Sequence, residues 1–184
     1  MLLGSLSSSW ASLSEAQRAG WIALANGVPF TDIFGDVKHL SGQVMFVKLN
    51  ANLEKIGLTA NDTAPVMQEI PPFLLEGMDA EETSGVISTL DLDFAQQTIP
   101  AGFEVMVYAT PGVKPGVNFV KNQYRFLGSL DSVVAGVGDI ETLWNDRFGS
   151  VSPGQKIFVR TALLNTTTGQ QGIPSQAEAV ITSS

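Results

Sequence analysis

Residues 155–182, QKIFVRTALLNTTTGQQGIPSQAEAVIT, hold two strand-like runs around a polar loop, and their reading decides the fold. In the first run Ile157, Val159, Thr161 and Leu163 point one way, and Phe158, Arg160, Ala162 and Leu164 point the other. Both faces are mostly apolar, whereas a sheet with one wet face alternates apolar with polar residues. A second layer must therefore cover each side of this strand. Gly169, Gly172 and Pro174 interrupt the pattern. Glycine tolerates positive φ, and proline ends pairing because it has no N–H to donate. Alternation resumes at 176–182, with Ala177, Ala179 and Ile181 against Glu178 and Val180. The intervening loop, with Asn165, Thr167, Gly169 and Gln171, is expected to be exposed.

Upstream to Pro65 the pattern is all-β. Candidate strands are 66–69 with 72–75, then 85–94, 103–110 and 118–127. Pro71-Pro72 makes the first an edge strand. Leu90, Leu92 and Phe94 alternate with Asp91 and Asp93, and Phe103, Val105, Val107 and Ala109 alternate with Glu104, Met106 and Tyr108. Residues 139–148 read as one or two helical turns with Ile140, Leu143 and Trp144 on one face.

The first 62 residues differ. Ser-rich residues 1–12 read as an arm carrying Leu2, Leu3, Leu6 and Trp10, either loose or docked on its own or a neighbouring subunit. A helix follows to about Ala25, started by a Ser-x-x-Gln/Glu box at Ser12 or Ser14 and stopped by Asn26-Gly27. Residues 30–40, with Gly35-Asp36, suggest a small hairpin. A second helix begins at Ser41 and stops at Gly57, with Met45, Leu49, Leu53 and Ile56 in one stripe. Helices this short are marginal without tertiary packing. The expected organisation is an arm at 1–12, a helical subdomain at 13–62 (two helices around a short hairpin) and a β-sandwich at 63–184. The apolar second face of 155–164, with Met106 and Tyr108 from a neighbouring strand, is the expected dock for the helices or another subunit: Met106, Tyr108, Phe158, Ala162 and Leu164.

Charge narrows the function. Net charge is −8, and residues 63–184 hold six Lys/Arg against thirteen Asp/Glu. Phosphate-backbone binding needs clustered cations, so no nucleic-acid partner is expected, nor an anionic membrane surface. No apolar run reaches transmembrane length. Met1-Leu2-Leu3-Gly4 is too short, and lacks a preceding basic residue, to read as a signal peptide.

Catalytic and cofactor signals are missing. There is no cysteine and one histidine, His39, which excludes a thiolate or multi-histidine zinc site and leaves no nucleophile elbow to serve. No phosphate-binding glycine loop occurs. Asp79, Glu81, Glu82, Asp91 and Asp93 have the oxygen ligands calcium takes, but not in EF-hand order, and a solvated acidic face explains them better. Asn61-Asp62-Thr63 and Asn165-Thr166-Thr167 match the glycosylation sequon. Trp21 and Trp144 lie on helical faces and read as core rather than sugar platforms. No catalytic residue, metal or cofactor is assigned, and an enzyme is not expected.

With those residues in view, VRTALLNTTTGQQGIPSQAEAVIT resembles the last two strands of a fibronectin type III-like domain. The likeness rests on Asn165 at the strand end, Gly169 in the loop and Ser175 before the final strand. It implies a mainly β fold, an Ig/fibronectin III-like sandwich with a small N-terminal helical subdomain. The N-terminal part, WASLSEAQRAGW at 10–21 with LSGQVMFVKLNANLEKIG at 40–57, resembles small uncharacterised phage and prophage virion-associated proteins. That likeness implies a structural subunit of a virion (head decoration, vertex or tail-associated), assembled in the host cytoplasm as a homo-oligomer or with other virion subunits. The alternative is an extracellular carbohydrate-binding or adhesion module using loops at the sandwich end.

Overall fold

A computed structural model describes residues 2–32 and 34–184, apart from the side chains of Leu2 and Leu3, so these two expected interface residues lie outside the described side chains. The chain divides into two compact units: Met1–Glu69 with Asn165–Gln170, and Ile70–Leu164 with Gln171–Ser184. Residues 63–69 and the 165–170 loop thus group with the helices, where the sequence had placed them with the β part.

The first unit opens with helix α1 (Leu2–Ser12), where the sequence suggested an arm. Ser8, Ser9 and Ser12 turn their hydroxyls back to the carbonyls of Gly4, Ser5 and Ser9, so the serines accommodate the helix instead of breaking it. Leu6, Trp10 and Leu13 recur at helical spacing. Leu6 and Leu13 are buried, and Trp10 packs on Phe46 with ring centroids 5.6 Å apart. Leu6 and Trp10 therefore pack in their own unit's core, the own-subunit docking that the sequence allowed, and do so from a helix and not a loose arm.

Helix α2 (Glu15–Gly27) starts at a complete capping box between Ser14 and Gln17. Strands β1 (Pro29–Thr31) and β2 (Val37–His39) form a hairpin, and α3 (Gly42–Lys55) is capped by Ser41. Trp21 stands edge-on to Phe46 at 5.3 Å and donates its indole N–H to the Asp62 carbonyl at 2.9 Å. Asn50, fully buried on α3, accepts from the Asn61 N–H and donates to the Asn61 carbonyl. These two contacts fold the 58–62 segment back onto the helices.

The second unit is β-rich. Its strands are β3 (Gly77–Thr83), β4 (Val86–Asp93), β5 (Phe103–Ala109), β6 (Arg125–Leu130), β7 (Val137–Asp139), β8 (Lys156–Asn165), β9 (Ser175–Val180) and β10 (Thr182–Ser183), with helix α4 (Glu141–Phe148) between β7 and β8. Two four-stranded sheets result, ordered β10-β3-β4-β7 and β6-β5-β8-β9; β10 runs parallel to β3. Leu90 and Leu92 from the first sheet, Phe94 just beyond β4, and Val105, Val107, Ile157 and Val159 from the second share one core. Trp144 of α4 is buried in it, its indole N–H donating to the Thr110 carbonyl at 3.0 Å. Trp21 and Trp144 are thus both core residues.

The sequence placed a strand pair at 66–75, where the structure has none, and missed β3 and β7. β3 carries Asp79, Glu81 and Glu82, which mask its alternation. Its signature is the turn: Ser84 and Gly85 both have positive φ, 56° and 84°, as a two-residue type I′ hairpin requires.

Gly42 sets the α2–α3 approach. A Cβ there would lie 2.7 Å from Ile22 Cγ1 and 2.9 Å from its backbone nitrogen. Alanine improves helix propensity by up to about 1 kcal/mol, but this overpacking costs about 1–3 kcal/mol. Gly42→Ala is therefore expected to lower the urea midpoint of the helical unit. An unchanged or raised midpoint would show that the helices simply slide apart.

Candidate functional site

On the face of sheet β6-β5-β8-β9 turned away from the shared core, β8 presents Phe158, Arg160, Ala162 and Leu164, and β5 presents Met106 and Tyr108. Phe158 is buried beneath Val113 and Val120, with Val117 and Tyr124 packed around them. The connection between β5 and β6 is thus one of the layers the apolar strand required. Met106, Ala162 and Leu164 are also buried. These four expected interface residues consequently offer no free surface to another subunit; Tyr108 alone among the β5 and β8 candidates stays half-exposed.

Tyr108 lines a cleft of about 220 Å³ with Tyr124, Arg160, Gln171 and Pro174. The Arg160 guanidinium lies over the Tyr124 ring, 4.5 Å from its centroid. Tyr108 meets Phe126 of β6 edge-on at 5.4 Å. Burial pushes both phenols above their ordinary pKa, helped at Tyr124 by the nearby charge of Glu178; the Gln171 hydrogen bond on Tyr108 and the charge and hydrogen bond of Arg160 on Tyr124 oppose the shift without cancelling it. At neutral pH both hydroxyls keep their protons; that of Tyr108 is directed to Met106 Sδ at 3.9 Å. The cleft therefore joins one cation, two phenols and one amide in a small aromatic-walled space.

The 165–170 loop departs from its expected exposure. Asn165 and Gly169 are buried, while Thr167 and Gln171 are exposed. The Asn165 side-chain oxygen accepts from the Thr167 and Thr168 N–H groups, both at 2.9 Å, and its amide points to Gln68 Oε1 at 3.4 Å. With its side chain so occupied, Asn165 is not an accessible glycosylation acceptor. Asn52 donates to the Gly169 carbonyl at 3.0 Å and Asn61 to the Thr167 carbonyl at 2.7 Å. Gly169 has φ +73°, and a Cβ there would come within 2.2 Å of the Leu49 carbonyl oxygen. Glycine is required twice over, by conformation and by space. Composition made the loop look like an exposed tip; only long-range partners identify it as an insert of the helical unit.

The acids form a ladder. Asp79 of β3 sits opposite Asp91 of β4, and Asp91 opposite Asp139 of β7. Desolvation, then the charges of Asp139 and Asp79, raise the Asp91 pKa above its ordinary 3.8. Glu82 accepts from the Gly85 N–H in the hairpin turn, and Asp93 from the Ala95 N–H. Among the described residues no group of three acids or histidines is arranged to hold a metal ion. His39 is exposed, with its ring nitrogen 3.4 Å from the Ala25 carbonyl. Among the described residues no helix is long and apolar enough to cross a membrane.

Comparison of the chain with protein families, curated proteins and solved structures finds no match in any of the three.

Asn165→Ala would strand two loop N–H groups, each costing about 1–3 kcal/mol if left unpaired. Amide exchange at Thr167 and Thr168 is expected to accelerate well beyond that of β5; equal protection in the variant would mean the side chain is dispensable. The acid ladder makes a second prediction. Because the folded state holds the Asp91 proton more tightly, this contribution to stability is fully present below the unfolded pKa and is lost as pH rises through the folded one. Asp91→Asn is expected to raise Tm at pH 7, with the advantage shrinking towards pH 4. A pH-independent difference would assign the effect to packing.

Proposed function

We propose that this chain is a structural subunit working through protein–protein contacts, specifically a bacteriophage virion component of the head-decoration, vertex or tail-associated kind. One observation carries the reading. Every residue of strands β1 and β2 is exposed, and their hairpin holds large apolar side chains in water: Phe34 is 83% exposed, Val37 67% and Phe30 42%. A two-stranded hairpin is marginal alone, yet this one is pinned. Asp32 accepts from the N–H groups of Phe34 and Asp36 and pairs with Lys38. An ordered hairpin with unpaired edges and apolar side chains on both faces suits insertion against a partner.

The β-rich unit is read as an Ig/fibronectin III-like sandwich. In favour of that reading, β3-β4-β7 follows the A-B-E order of such domains and β5-β8-β9 the C-F-G order, with β6 beside β5 as an added edge strand. The main departure is that the buried core tryptophan, Trp144, comes from α4 and not from a strand. A non-catalytic scaffold of this kind, assembled in the host cytoplasm and carried in the virion as a homo-oligomer or beside other subunits, fits the absence of catalytic signals in the sequence.

Light scattering on the wild type and on a Phe34→Ser, Val37→Ser double variant tests the contact, and mass spectrometry of purified particles tests the location. The wild type is expected to associate, the variant to lose association while keeping its circular dichroism, and the chain to occur in particles. A monomer at all concentrations that is also missing from particles would sink the proposal.

A further inference from the structure

Arg160 stands out because no described carboxylate lies within ion-pair distance of it, although the charge of Glu178 reaches the neighbouring Tyr124. The described ion pairs are Lys38 with Asp32 and Lys156 with Glu178; among the described residues Arg160 pairs with no carboxylate. Its cross-strand neighbour on β9 is Gln176, while Glu178 lies opposite Phe158 and is engaged by Lys156 at 3.0 Å. Seated over Tyr124, the guanidinium uses its face for the ring and one N–H for the Tyr124 hydroxyl, which leaves the rest of its five donors for a ligand. A carboxylate is the planar acceptor that matches this fork in a bidentate way.

The rest of the cleft narrows the ligand. Tyr108 and Tyr124 supply aromatic walls, the Tyr124 hydroxyl a donor, and Gln171, which also bonds the Tyr108 hydroxyl, a carboxamide that both donates and accepts. That mixture suits a ring with apolar C–H faces and several hydroxyls. At about 220 Å³ the cleft is smaller than the roughly 300–1,000 Å³ of pockets for drug-sized ligands, so it takes one ring or a chain end. We infer that the Tyr108–Tyr124–Arg160–Gln171 cleft binds the carboxylate-bearing ring of an acidic saccharide, a uronic or sialic acid. Arg160 pairs with the carboxylate, and the phenols and Gln171 meet the ring hydroxyls. This site goes beyond the assembly reading and does not depend on it.

The isotope-labelled full chain titrated with methyl glucuronide and N-acetylneuraminic acid, and followed by amide chemical shifts, tests the inference. Methyl glucoside, acetate and a blocked aspartate serve as separate probes. Saturable shifts at Arg160 and Gln171 are expected with at least one acidic sugar, about tenfold weaker with methyl glucoside. Arg160→Gln should abolish them, and Gln171→Ala, at an exposed position, should weaken binding with Tm unchanged. If Arg160→Gln fails to fold, Gln171→Ala and Arg160→Lys decide, because lysine keeps the charge but loses the fork. No saturation by either acidic sugar up to about 10 mM overturns the inference. So does equal binding of acetate or the blocked aspartate, which would make this a generic carboxylate or peptide site.

Discussion

A strand that is apolar on both faces has to be covered twice, and β8 imposes this requirement on the chain around it. Ile157, Val159 and Leu163 enter the core shared by the two four-stranded sheets. On the other face Phe158 lies under Val113 and Val120, from the connection between β5 and β6. Arg160 is the exception on that face, and the chain accommodates it with an aromatic ring instead of a counter-charge. A cation held against a phenol in a narrow cleft keeps most of its hydrogen-bonding capacity, because the ring engages only the guanidinium face.

The end of β8 obeys a different constraint. At Asn165 the chain leaves the β-rich unit, and by Gln171 it has returned. The six residues between are held by side-chain amides: Asn165 closes the loop on itself, and Asn52 and Asn61 take its carbonyls. Buried amides of this kind tie a loop to one geometry because each unpaired donor or acceptor would cost free energy. Gly169 admits the backbone to a distance from Leu49 that no side chain would allow.

Two surfaces then stand apart from the structural work. The β1–β2 hairpin keeps Phe30, Phe34 and Val37 in water although a core lies within its own unit. The Arg160 cleft keeps a cation outside ion-pair distance of any described carboxylate in a chain of net charge −8. The first is the surface proposed to meet another subunit and the second the site proposed for an acidic sugar.

Local chemistry made part of this legible. Ser14 with Gln17, and Ser41, marked helix starts that the structure has at those residues, and strict alternation marked β4, β5 and β8. Helix α1 was hidden by serines that bond back to their own backbone, although Leu6, Trp10 and Leu13 carried the helical period. β3 was hidden by its acids, although Ser84-Gly85 carried the turn. The cleft was beyond reach: Tyr108 and Gln171 were singled out for other reasons, and Tyr124 and Arg160 joined them only through pairing and the course of the 113–124 connection. The sequence by itself determined the periods, the caps and the demand that β8 be covered on both sides, because those follow from backbone geometry and side-chain polarity within a few residues. Which segments did the covering, which loop was buried and which cation was left without a carboxylate were decided by the tertiary structure, because burial and charge pairing depend on neighbours distant in the chain.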